Sequence, residues 1–126
     1  MYVDVETLVT EWLRTKLDQA VTVRTELPEV VNNILPLVCV ERFGGADNVP
    51  TIDRPMVDVD AFALGNAAAK QLAEQVRELL RNQLPGYTTA AGTVLGVITI
   101  LGPTRREWDD TGTRRRGATY EIITKS

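Results

Sequence analysis

The segment Val94-Leu95-Gly96-Val97-Ile98-Thr99-Ile100-Leu101 constrains this chain more than any other. Successive side chains of a strand point to opposite faces, so a strand lying between a core and water alternates apolar with polar residues. This one is apolar at both parities, and both of its faces need cover. The rest of the chain reads as holding two helices. Either they divide between the two faces of the sheet, or one face is left for another subunit. Beyond the strand, Thr104 to Gly117 carries five arginines, three acids and Trp108, and a second apolar run ends at Ile123. A hairpin with a charged, aromatic tip is expected to reach beyond its own core.

The other elements follow from periodicity. Val5, Leu8, Val9, Trp12, Leu13 and Leu17 fall on one helical stripe, with Asp4 placed to cap it and Glu6 in its first turn, so a helix is predicted over residues 4–18. Residues 20–27 alternate as a half-buried strand. Leu35-Pro36 opens a second strand over 37–43, which Gly44-Gly45 is expected to end. The glycines, prolines and aspartates of residues 44–55 predict a long surface loop. Residues 56–63 alternate with period 2, placing Val57, Val59 and Ala61 on one face of a third strand. Asn66 is then expected to cap a helix over 67–84, with Ala69, Leu72, Val76, Leu79 and Leu80 as its stripe, Glu74–Arg77 and Glu78–Arg81 as surface pairs, and Pro85-Gly86 as its stop. Strands over 92–103 and 117–124 close the chain, and Gly96 within the first of them suggests a bulge or a close backbone approach. The predicted fold is α+β: one domain spanning residues 1–126, a mostly antiparallel β-sheet with two helices packed on one face, in the order αβββαββ. In that arrangement the second face of Val94–Leu101 lies open, so an oligomer is expected.

Composition narrows the chemistry. A chain of 126 residues is long enough for one domain that buries roughly two thirds of its unfolded surface. The sequence has one cysteine, Cys39, and no histidine. That excludes an intrachain disulfide and removes the commonest metal ligand and general base, arguing against zinc sites and Ser/His or Cys/His nucleophiles. Cys39, alternating with Leu37, reads as a buried small hydrophobe. Residues 1–6 lack the basic flank and apolar run of a signal peptide, and no stretch approaches the roughly 20 apolar residues of a membrane span, so a soluble protein made in the cytoplasm, with no membrane partner, is expected. Net charge is -3, yet Thr104–Gly117 holds a balance of +2, leaving -5 on the remainder. Such polarity steers surfaces together. Arginine outnumbers lysine eleven to three, which suits planar contacts with carboxylates and equally reflects a GC-rich genome.

Few constellations carry chemistry. Asp58 and Asp60 share a strand face and, with Glu41 or Asp53, have the donor type for a divalent cation; a solvated strand face gives the same spacing. Gly44-Gly45 lacks the strand-to-helix context and the lysine of a phosphate-binding loop. No cofactor and no enzymatic activity are expected. Arg105, Arg106, Arg114, Arg115 and Arg116 are able to contact phosphates, but the interleaved Glu107, Asp109 and Asp110 favour a solvated or protein-contacting loop over a nucleic-acid-binding module. Trp108 either anchors to a partner or folds back on its own domain.

Leu35-Pro36-Leu37-Val38, Arg42-Phe43-Gly44-Gly45, the run Asp53 to Ala63 and the run Ala68 to Arg77 resemble, in order and spacing, the tail terminator (tail-completion) proteins of long-tailed bacteriophages, particularly those of actinobacteria. The resemblance implies a sheet with helices packed on it and a ring of identical copies, typically a hexamer, at the head-proximal end of the tail tube. It further implies that the ring stops tube polymerisation and joins the tail to the neck, with DNA passing through its lumen. The implied partners are other copies of the chain, the tail tube protein and the neck or connector protein, and the implied location is the virion. Another head-tail joining protein or a tube subunit would share these features. The family has no universal functional motif, so Arg105, Arg106, Trp108, Asp109, Asp110, Arg114, Arg115 and Arg116 are candidates for partner contact on charge and position alone. Mixed charge sets register between proteins, and the arginines facing the lumen is the other placement.

Overall fold

Asp4 begins the first helix, its side chain accepting hydrogen bonds from the Thr7 amide at 3.2 Å and the Thr7 hydroxyl at 2.9 Å. These bonds satisfy one of the free amides of the first turn. The computed structural model describes residues 2–108 and 112–126, and the helix, α1, spans Val5–Lys16. Strands β1 (Thr22–Arg24), β2 (Leu37–Val49) and β3 (Ile52–Leu64) follow, with a 3-10 turn at Val31–Ile34 and a cis Leu35–Pro36 peptide between the first two. Helix α2 (Asn66–Asn82), a short β4 (Thr88–Thr89) and the long strands β5 (Gly92–Arg106) and β6 (Thr113–Lys125) complete the chain. Among the described residues the strands form one sheet of six in the order β1-β2-β3-β6-β5-β4. Every pairing is antiparallel except β1 with β2.

Both helices lie on the same face. Leu8, Val9, Trp12 and Leu13 of α1 and Leu72, Val76 and Leu80 of α2 share one core with Val38, Val40, Val57, Val59, Ala61, Tyr120 and Ile122 of the sheet. The predicted stripes are buried as read, apart from Leu79, which packs at the edge of the core. A smaller core occupies the opposite face, where the 3-10 turn brings Val31 onto Leu37, Cys39 and Phe62.

Four local expectations are corrected. Residues 44–55 are not a surface loop: β2 and β3 continue through them as a hairpin, with register shifts at Arg42/Gly44 and Ala46/Val49. Gly45 makes this possible because it adopts φ +112°, and a Cβ there would lie 2.3 Å from the Arg54 carbonyl oxygen. Asn66 does not cap α2; the N-cap is Gly65 with φ +82° and no capping side chain, and the Asn66 amide oxygen instead accepts from Arg116 at 3.1 Å. The arginines of α2 do not pair along the helix, since Arg81 donates to the Val97 carbonyl and Arg77 lies against Gly102, both on β5. Finally, β5 and β6 run to Arg106 and from Thr113, so most of the predicted tip is strand. Gly96 sits at a register shift with open space where its Cβ would be, which makes it a bulge rather than a close approach.

Candidate functional site

Strand parity sorts the arginine-rich hairpin into two sets. Arg106 pairs across with Arg115, and Arg115 with Phe62 of the small core, so these two point to the face away from the helices. Arg105 pairs with Arg116, and Arg116 with Ala61 of the main core, so these two, with Arg114 opposite Ala63, belong to the helix side. Arg105 and Arg114 are exposed, and Arg116 is half-buried. Three consecutive arginines therefore do not form one patch.

On the open face the charges are paired. The Arg106 guanidinium donates to Asp60 at 2.9 Å and Asp58 at 3.2 Å, Arg115 donates to the other Asp60 oxygen at 2.8 Å, and the Thr119 hydroxyl donates to Asp58 at 2.6 Å. Farther along, Arg54 holds Glu121 at 2.6 Å. Gly117 is what lets Arg106 lie flat here, because a Cβ on it would stand 1.9 Å from Asp60 Oδ1 and 2.5 Å from Arg106 Nε. The carboxylates read as donors for a cation are thus arginine partners. Among the described residues no group of three or more Cys, Asp and Glu is placed to hold a metal ion.

Trp108 folds back onto its own domain. Its ring meets Phe62 edge-on with centroids 4.8 Å apart, and the Arg115 guanidinium sits over the same Phe62 at 5.7 Å. The buried Thr113 hydroxyl donates to Asn32 at 2.5 Å, tying the start of β6 to the 3-10 turn. Between turn and hairpin lies an open cleft of about 540 Å³ lined by Glu29, Val30, Val31, Asn32, Glu107, Trp108 and Arg115. Asp109 and Asp110 lie outside the described residues.

Along residues 95–101 the side chains that β5 exposes are apolar. Leu95, Ile98, Ile100 and Leu101 are 48, 42, 50 and 49% exposed on this one strand, with Val97 between them buried in the main core. Ile98 pairs with Glu121 and Leu101 with Thr119, which places both on the open face. Both helices pack on the other face, so the uncovered second side anticipated from the apolar strand is present. Two buried groups have raised pKa values. Tyr120, fully buried beneath α2, has no partner for its hydroxyl, and burial pushes its pKa up to about 12; burial likewise pushes the Cys39 thiol up to about 11. A thiol this hard to ionise is a poor nucleophile.

Sequence reasoning missed Glu6, Arg77 and Arg81, which reach from the helices to β2 and β5. Glu6 accepts from the Arg42 amide of β2 at 2.9 Å, as Arg81 donates to Val97 of β5. Read along their helices they look like ordinary surface charges. Only the strand pairing shows that each lies beside a stretch of β2 or β5 that the short β1 and β4 leave uncovered.

A two-helix layer covers one face of a largely antiparallel sheet, with paired charges and uncovered apolar side chains on the other, and comparison with known families identifies it as a virion structural protein. Residues 1–121 match the family model described as phage tail termination protein, and the chain belongs to that family. It is a phage tail protein that assembles with other components of the virion. Among solved structures, a chain of "Virion of native gene transfer agent (GTA) particle" shares the fold, with a TM-score of 0.57 at 14% identity over 98% of this chain and 89% of that one. Comparison with curated protein sequences finds no match.

Proposed function

We propose that this chain forms a closed ring, a hexamer as is typical of the family, at the head-proximal end of the phage tail tube, where it stops tube polymerisation and joins the tail to the neck. The whole of residues 1–126 acts as one terminator domain, made in the host cytoplasm and carried in the virion. The observation that carries this reading is the set of uncovered apolar side chains Leu95, Ile98, Ile100 and Leu101, which a single copy leaves in water and a neighbouring subunit would bury. The ring then offers one axial surface to the last tube ring and the other to the connector, and DNA passes through its lumen.

The partner contacts are drawn from Arg105, Arg106, Trp108, Asp109, Asp110, Arg114, Arg115 and Arg116. Within that set, Arg105 and Arg114 are the exposed arginines and meet the partner, while Arg106, Arg115 and Trp108 shape the surface from within through Asp58, Asp60 and Phe62. The role is tested by assembling tails with and without this chain and measuring their lengths by electron microscopy. Tails should overrun or stay unjoined without it, and Arg105→Glu with Arg114→Glu should reproduce that defect on an intact ring. Tails of normal length that join heads in its absence refute the reading. Long stacks of the chain alone, in place of closed rings, identify a tube subunit instead.

A further inference from the structure

We propose that the cleft between the 3-10 turn and the β5–β6 hairpin receives a cationic side chain, an arginine set among apolar residues of another virion protein. The proposal rests on the virion role for the kind of partner and on the cleft for its chemistry. The walls are apolar, with Trp108 on the hairpin side and Val30 and Val31 on the turn side. Val31 is buried but Val30 is exposed, so the turn presents an apolar side chain at the opening. A volume of about 540 Å³ lies within the range of about 300–1,000 Å³ that binding clefts occupy.

Charge decides what fits. Arg115 is the cation that lines the cleft, and it belongs to a network of two guanidiniums and two carboxylates, Arg106 and Arg115 with Asp58 and Asp60. Opposite charges cancel within that network. Glu29 and Glu107 line the same cleft, both are exposed, and among the described residues neither takes part in an ion pair. What the cleft offers a partner is therefore two unmatched carboxylates beside an indole. An aromatic face attracts a cation, and a guanidinium stacks on it flat and gives up its hydration more readily than an ammonium. The methylenes of an arginine would lie along Val30 while its head meets the glutamates. The same carboxylates repel phosphate, which disfavours a nucleic acid as occupant.

Both walls are fixed in the single chain. Phe62, fully buried, backs Trp108 with ring centroids 4.8 Å apart, and Thr113 bonded to Asn32 at 2.5 Å ties the turn to the start of β6. A cleft shaped before its partner arrives loses little conformational freedom on binding.

The test is a titration of the isotopically labelled full chain, followed by nuclear magnetic resonance, with the peptide acetyl-Ala-Leu-Arg-Leu-Ala-amide and with matching peptides that carry norleucine or glutamate at the centre. The chain has two tryptophans, and Trp12, buried in the main core, is the internal reference. The arginine peptide should shift the Trp108 indole N–H signal saturably and leave that of Trp12 in place. Glu29→Gln with Glu107→Gln should weaken this binding about tenfold. Glu11→Gln with Glu78→Gln makes the same change in net charge at exposed positions of α1 and α2 and should leave it unweakened. No shift at millimolar peptide, equal binding of the norleucine or glutamate peptide, or equal losses from the two pairs of substitutions overturns the proposal. A Trp108 signal that moves with concentration of the chain alone names a second copy as the occupant and overturns it too. Tail length reads the terminator role separately: a chain that binds the arginine peptide as described but leaves tail length unchanged loses that role and keeps this site, and one that ends tails without binding the peptide keeps the role and loses the site.

Discussion

Gly117→Ala isolates the charge pairing of the open face. Gly117 has no left-handed backbone angle, so alanine is conformationally acceptable there, and on backbone grounds the change would stabilise by about 0.4–1 kcal/mol. Its Cβ, however, would enter the space of Arg106 Nε and Asp60 Oδ1 and push the guanidinium off both aspartates. Hydrogen bonds to charged groups contribute about 1.5–3 kcal/mol each, but the Arg106 side chain is 19% and that of Asp58 33% exposed, and solvent weakens both contacts. Losing them should cost about 2–3 kcal/mol, giving a net destabilisation of about 1–2 kcal/mol. Arg106→Ala removes the same contacts and should cost a similar amount. In that background Gly117→Ala has only Asp60 left to displace, and Asp60 still has Arg115 to turn toward, so the added cost should fall below about 0.5 kcal/mol. Urea denaturation of the native chain, both single variants and the double variant at pH 7 measures the cycle. A coupling of at least about 1 kcal/mol is expected. Additive losses would refute the claim that glycine stands at 117 to let Arg106 lie across the sheet.

Four further outcomes follow from burial and capping. Tyr120→Phe removes a buried hydroxyl that has no partner, so it should leave stability at pH 7 unchanged or raise it by about 1 kcal/mol. The Tyr120 pKa is raised from 10.0 to about 12 by burial, so the unfolded chain loses this proton first; native stability should be full below pH 10 and fall by roughly 3 kcal/mol between pH 10 and 12, a fall that Tyr120→Phe should lessen in melts across that range. Leu80→Ala opens a hole where α2 meets the sheet and should cost about 2–5 kcal/mol by urea denaturation, while Asp4→Ala, which only uncaps α1, should cost about 1 kcal/mol.

Periodic burial was legible in the residues themselves. The stripes of α1 and α2 and the alternation of Val57, Val59 and Ala61 report a preference for one face, and the fold honours each but for Leu79, which stays at the edge of the core. The same reasoning stopped β2 at Gly44-Gly45, because glycine and proline mark turns in a single segment. Whether they end a strand depends on a partner across the way, and here β3 supplies one through Pro55 and Arg54. The open side of β5 was legible for a related reason, since a doubly apolar strand states a need for cover that can be checked against the helices available. The candidate site was less so. Arg106 and Arg115 looked like a projecting tip until Asp58 and Asp60, more than 45 residues earlier in the chain, came to lie beneath them. Trp108 found Phe62 in the same way. Contacts between distant segments leave no local trace, and Gly117, a glycine opposite an aspartate, is the nearest thing to a clue.

The division of the three adjacent arginines between two faces has a consequence for how this stretch tolerates change in length. Inserting or deleting one residue within Arg114–Arg116 would exchange the address of every side chain on that side of it, sending the partner of Asp60 to the helix layer and bringing a solvent-facing arginine over Phe62. Point substitutions at the three positions are separable experiments on different surfaces, whereas a frame-preserving change of a single codon would alter all of them together.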